Sequence, residues 1–150
     1  MINLHISVQA RVLQHALSIN LVELKHVVSW AATLAGTDAG PDDELADLAR
    51  CQSTQQAVCI LSQLAKGAST EAWWPQFKQQ LASAVDMGSM QPQVAAEYCY
   101  NLALNGDIPA YDCEALYQFE LEYDSLFAGH GTQDEVDAQV RRFFHQPCAY

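Results

Sequence analysis

The chain has 150 residues, half of them hydrophobic, with 18 Asp and Glu against 7 Lys and Arg and a formal net charge of -11. That length suits one domain, which buries roughly 70% of its unfolded surface and needs no disulfide or metal staple. The hydrophobic content excludes a globally disordered chain, and the charge argues against direct binding of nucleic acid or of an anionic membrane surface.

The first residues alternate as Ile2, Leu4, Ile6 and Val8. A strand there has no partner strand elsewhere, so the segment is predicted to lead into a helix, with Ser7 as its cap. Asn20 three residues before Glu23 is a capping box, predicting a helix through Ala35 that ends at Gly36. Gly40-Pro41 opens a short helix with Asp42, Asp43 and Glu44 in the first turn, where the helix dipole favours acids. Ser53 with Gln56 is a second capping box, for a helix through Lys66 closed by Gly67. Pro75 suits the first turn of the next, which carries Phe77, Leu81 and Val85 and ends at Gly88. Pro92 opens another, closed by Gly106. Pro109 opens the longest, ending near Gly129. Thr132 with Glu135 is a third capping box, and Pro147 stops the last helix. These signals define an all-α fold, a single-domain bundle over 1–150 of seven or eight helices joined by short loops.

The N-terminal segment MINLHISVQARVLQHAL is a poor secretory signal: its first charge is Arg11 and polar residues interrupt the apolar run. No stretch reaches the roughly 18 apolar residues of a membrane span. Cys51, Cys59, Cys99, Cys113 and Cys148 are odd in number and form no C-x-x-C pair, so they read as reduced, structural thiols of a cytoplasmic protein. A break near Ser53 separates Cys51 from Cys59.

On the helix predicted at 110–128, Leu116, Phe119, Tyr123, Leu126 and Phe127 share one side and are expected in the core. Asp112 falls near the same azimuth, in the first turn. Ala95, Tyr98, Leu102, Ala103 and Gly106, followed by Ala115, Leu116 and Phe119, are similar to half of a tetratricopeptide-type helix pair. No second copy follows at the repeat distance, so an ordinary αα-hairpin accounts for them.

The charge is unevenly placed. Residues 1–78 hold seven acids and five bases, whereas residues 79–140 hold eleven acids and no Lys or Arg. The eleven are Asp86, Glu97, Asp107, Asp112, Glu114, Glu120, Glu122, Asp124, Asp134, Glu135 and Asp137. Glu120 and Asp124 form a like-charge i,i+4 pair, which costs a few tenths of a kcal/mol. Tyr98, Tyr100, Tyr111, Tyr117 and Tyr123 lie in the same stretch, and the azimuth of Tyr117 leaves it partly exposed near Glu120 and Asp124. Either the stretch is a solvated face kept acidic for solubility, or it is a docking surface. Tyrosine among carboxylates suits Arg and Lys side chains, which are drawn by charge and stack on the ring.

Catalytic and metal motifs are weak. Glu23-x-x-His26 has the spacing of one half of a carboxylate-bridged di-metal bundle, but no second copy exists. His15 and His26 are separated by a break at Ser18–Asn20. His130 and His145 flank the last helix, and a Cys148–His nucleophile pair needs spatial adjacency. No phosphate loop, nucleophile elbow, H-E-x-x-H or EF-hand loop is present. No catalytic residue, metal site or cofactor is therefore assigned. Of Trp73-Trp74-Pro75, one indole is expected to anchor the core; the other either packs in the core as well or stands at the surface as a hydrophobic contact point.

The profile of size, helix punctuation and the acidic, tyrosine-rich stretch from Tyr98 to Asp124 resembles small acidic helical immunity proteins that protect bacteria from protein toxins. The resemblance implies a non-enzymatic domain that neutralises a basic protein partner, such as a cationic nuclease-type toxin domain. The contact is then expected at Glu114, Tyr117, Glu120, Glu122 and Asp124. Two other readings stay open: a helical adaptor or scaffold binding through an apolar groove near Trp73 and Trp74, or an enzyme whose site is assembled from distant residues.

Overall fold

The computed structural model describes residues 4–35 and 42–148. Regular structure among them is entirely α-helical: α1 (Leu4–Ser18), α2 (Leu24–Leu34), α3 (Asp42–Ala49), α4 (Thr54–Leu64), α5 (Thr70–Asp86), α6 (Pro92–Leu104), α7 (Ala110–Phe127) and α8 (Gln133–His145). The predicted stops and starts at Gly36, Gly40 and Pro41, and the first residue of the alternating run, Ile2, lie outside the described residues.

Several ends form where the local signals put them. The Ser53 hydroxyl accepts the Gln56 amide at 3.2 Å to start α4, and Thr132 does the same for Glu135 at 3.3 Å to start α8. Each such cap satisfies one of the orphan amides of a first turn. Pro92 occupies the first turn of α6 and Pro109 caps α7. At the end of α6, Asp107 N–H donates to Leu102 and Gly106 N–H to Ala103, with Gly106 at φ 78°. This left-handed closure is the reason for a glycine at that point.

Four expected boundaries are corrected. α1 starts at Leu4, so Ser7 is no cap; it lies buried within the helix. Asn20 does not cap α2. It adopts φ 63° and closes α1, with Leu21 N–H donating to Ala16, a position that asparagine tolerates better than most residues. α2 is instead preceded by Glu23, which makes no side-chain cap bond. α5 begins at Thr70, placing Pro75 inside it rather than in its first turn. The missing proline N–H falls opposite the carbonyl of the exposed Glu71, where water can serve. α4 ends at Leu64, ahead of Lys66.

The described chain clusters into two compact units, Met1–Trp73 and Trp74–Tyr150, with α5 passing from one into the other. In the first, α1 packs on α4, α2 on α3, and α3 on α4. Leu13, Leu17, Val27, Leu45, Leu48, Leu61 and Leu64 fill its core. His15 is buried here and stacks on Trp73 with ring centroids 4.8 Å apart.

In the second unit, α6 packs on α7 and both pack on α8. Trp74, Phe77, Leu81, Leu116, Phe119, Tyr123, Val140, Phe143 and Phe144 are buried. Edge-on ring contacts join Phe77 to Tyr98 at 6.1 Å and Phe119 to Phe143 at 5.5 Å, the geometry that aromatic quadrupoles favour. Both Trp73 and Trp74 are buried, which decides for the core and against an exposed contact point. Phe127 is 92% exposed and Leu126 half-buried, so the apolar stripe of α7 reaches the core only as far as Tyr123. Helical periodicity fixes the azimuth of a side chain, not where along the axis its neighbours stop covering it. No helix of the described residues is long and apolar enough to cross a membrane.

Candidate docking groove on the acidic hairpin

The α6–α7 hairpin is tight because α6 turns small side chains inward: Ala95, Ala96, Cys99 and Ala103 are all buried. Burial pushes the Cys99 thiol far up, with the Asp112 carboxylate adding to the effect, so it packs as an inert apolar group. Ile108 and Pro109 anchor the connection in the core.

On its outward side the hairpin forms an open groove of about 430 Å³, lined by Tyr100 and Leu104 of α6 and by Tyr117, Glu120, Leu121 and Asp124 of α7. The two tyrosine rings meet edge to face at 5.9 Å and 88°. The Tyr117 hydroxyl donates to the Ala103 carbonyl at 3.3 Å, which fixes the ring against α6. Leu104 and Leu121 are 58% and 60% exposed. The Glu120 carboxyl is held above the usual carboxylate range, first by partial burial, then by the nearby charges of Asp124 and Glu97.

Of the five residues expected at a contact, Tyr117, Glu120 and Asp124 thus line one groove. Glu114 is exposed on α7 but does not line it, and Glu122 is half-buried on the opposite flank of the helix. One oxygen of Glu122, Oε2, is buried without a hydrogen-bond partner. Some of the acids of this stretch are engaged and others stand open. Asp112, Asp86 and Asp137 are taken up inside the second unit by Lys78 at 3.1 Å, His145 at 2.7 Å and the Tyr123 hydroxyl at 2.6 Å. Among the described residues, Glu97, Glu114, Glu120 and Asp124 make no ion pair.

The largest polar feature of the core was not expected. Asp112 is buried on the apolar face of α7, where it accepts Lys78 Nζ at 3.1 Å and Trp74 Nε1 at 2.7 Å. The Lys78 ammonium also sits over the Phe143 ring, 4.4 Å from its centroid. Placement in the first turn does not by itself account for this carboxylate; a buried cation does. The signal for it was in the sequence: Trp74, Phe77, Lys78 and Leu81 follow the i, i+3, i+4, i+7 spacing of one helix face, so Lys78 shares the buried stripe.

The other candidate side chains are engaged elsewhere or stand apart. Glu23 pairs with Lys25 at 3.0 Å at the surface, and no group of three or more His, Cys, Asp and Glu side chains gathers among the described residues. His145 and Cys148 line one cavity of about 290 Å³ together with Lys78, but the Nε2 of His145 is engaged with Asp86. His130 is exposed. All five cysteines are free, Cys51 in the loop after α3 and Cys59 on α4. No protein-family model, curated protein or solved structure matches this chain.

Proposed function

We propose that the chain is a non-enzymatic protein-binding domain whose α6–α7 face docks a basic protein partner. One observation carries the reading: Glu120 and Asp124 stand in a groove floored by exposed tyrosine and leucine surface. The sequence puts no Lys or Arg between residues 79 and 140 to neutralise them. Carboxylates held together at such a cost to the free chain are relieved by an incoming cation, and the apolar floor supplies contact area that charge alone does not. Long-range attraction from the whole acidic stretch speeds the encounter.

The best fit is an immunity protein that blocks a cationic, nuclease-type toxin. A nuclease must hold phosphates with Lys and Arg, and the same side chains accept a carboxylate-lined groove. Occlusion then needs no chemistry on the blocking side. The cytoplasm suits this role, since it keeps five unpaired thiols reduced. The adaptor reading loses its anchor near Trp73 and Trp74, because both indoles are buried.

The test is capture from lysate by the wild-type chain and by the double reversal Glu120→Lys with Asp124→Lys, both confirmed folded by circular dichroism. A basic partner retained by the first and lost by the second supports the proposal. Equal retention by both removes the groove from the contact. A complex whose on-rate is indifferent to ionic strength favours an apolar mode instead.

A further inference from the structure

The groove has a more specific chemistry than negative charge, and its walls point to one kind of cation. Resting on the docking reading above, we infer that the α6–α7 groove is selective for arginine over lysine, taking a segment of the partner in which an arginine stands beside a large aliphatic residue. Three features of the groove combine. Tyr100 and Tyr117 meet edge to face at 88°, and both line the space between the helices. Glu120 and Asp124 are one helical turn apart along that space, roughly 6 Å of rise, and both line the groove. Leu104 and Leu121 leave more than half of their surface exposed at the same groove.

A guanidinium meets all three. It is planar and stacks on a tyrosine ring, it forks onto a carboxylate with two parallel N–H bonds, and it gives up water more readily than an ammonium. Lysine offers a compact, strongly hydrated charge that gains from the carboxylates but little from the rings. The exposed leucines add a demand that a purely basic segment does not meet, namely an aliphatic neighbour. A second copy of the chain is a poor occupant, because the same face would bring two sets of Glu120 and Asp124 together on molecules of charge -11. The raised carboxyl of Glu120 agrees with a site waiting for a positive charge.

The experiment titrates the full chain into two labelled peptides of identical length and charge, one built on Arg-Leu repeats and one on Lys-Leu repeats, with anisotropy as readout at low salt. The expected result is roughly tenfold tighter binding of the arginine peptide. Tyr100→Leu combined with Tyr117→Leu, which keeps apolar side chains but removes both rings, should cut the preference severalfold. Equal affinity of the wild-type chain for both peptides, lost in the Glu120→Lys, Asp124→Lys variant, would overturn arginine selectivity while leaving charge-led docking intact. An arginine preference of undiminished size in the Tyr100→Leu, Tyr117→Leu variant also overturns the inference. If neither peptide binds, the docking reading falls with it.

Discussion

Three buried ionisable side chains, His15 in the first unit and Lys78 with Asp112 in the second, show how much a single residue can decide. Asp112 and Lys78 form a buried pair completed by the Trp74 indole N–H and the Phe143 ring. Desolvating two charges offsets most of their attraction, so such a pair adds little net stability, yet removing one partner strands the other. Asp112→Ala is expected to destabilise the chain by about 3–5 kcal/mol, whereas Lys78→Met combined with Asp112→Leu should recover most of that loss. Urea midpoints of the three proteins check this. His15 tells the opposite story. Burial, with Arg11 adding to it, lowers its pKa from 6.5 to about 4, so the folded chain keeps the ring neutral on Trp73. Between those values the unfolded chain binds more protons than the folded one. The contribution is therefore complete above pH 6.5 and lost as pH falls toward 4, by roughly 3 kcal/mol in all. A His15→Leu variant should show a flatter decline of stability over that interval, read by denaturation at a series of pH values.

At the level of the elements, α7 carries two unlike faces. Its inner face is conventional core, built on Leu116, Phe119 and Tyr123. Its outer face holds Glu120 and Asp124 as an i,i+4 repulsive pair that an arrangement serving only stability would avoid. Asp124→Lys converts the pair into a Glu-to-Lys contact of the favourable orientation. The free chain should gain a few tenths of a kcal/mol in thermal or urea unfolding, while binding of a basic partner is lost. A variant that is less stable, or that binds as well as before, would show that this face is not organised for docking. The termini of the helices were largely legible, because a cap or stop is a matter of residues three or four positions apart: Ser53 with Gln56, Thr132 with Glu135, Pro92, Gly106. The failures were equally local in origin. Asn20 fits both a cap and a left-handed closure, and Pro75 is tolerated inside α5 as well as at its start.

For the molecule as a whole, charge governs behaviour in solution. With -11 spread over 150 residues and concentrated in one stretch, the free chain repels itself. Added salt screens that repulsion. Raising sodium chloride from low to physiological concentration should therefore raise the melting temperature of the free chain while slowing its association with a basic partner. Thermal melts and stopped-flow mixing measure the two. A melting temperature that falls with salt would mean that attractive pairs outweigh the repulsion.

Composition and periodicity determined by themselves that this chain is all-α, where most helices begin and end, and that residues 79–140 carry eleven acids and no Lys or Arg. These are properties of neighbours along the backbone, set by hydrogen bonds of a few residues' span and by counting charges. Tertiary structure alone decided which acids are taken up and which stay open. Lys78 reaches Asp112 across 34 positions, both indoles turn inward, and Phe127 is left outside. It also decided that Tyr100 and Leu104 of one helix join Tyr117, Glu120 and Asp124 of the next in a single groove, away from Glu114 and Glu122. Burial depends on what packs above a residue, and that partner comes from distant sequence.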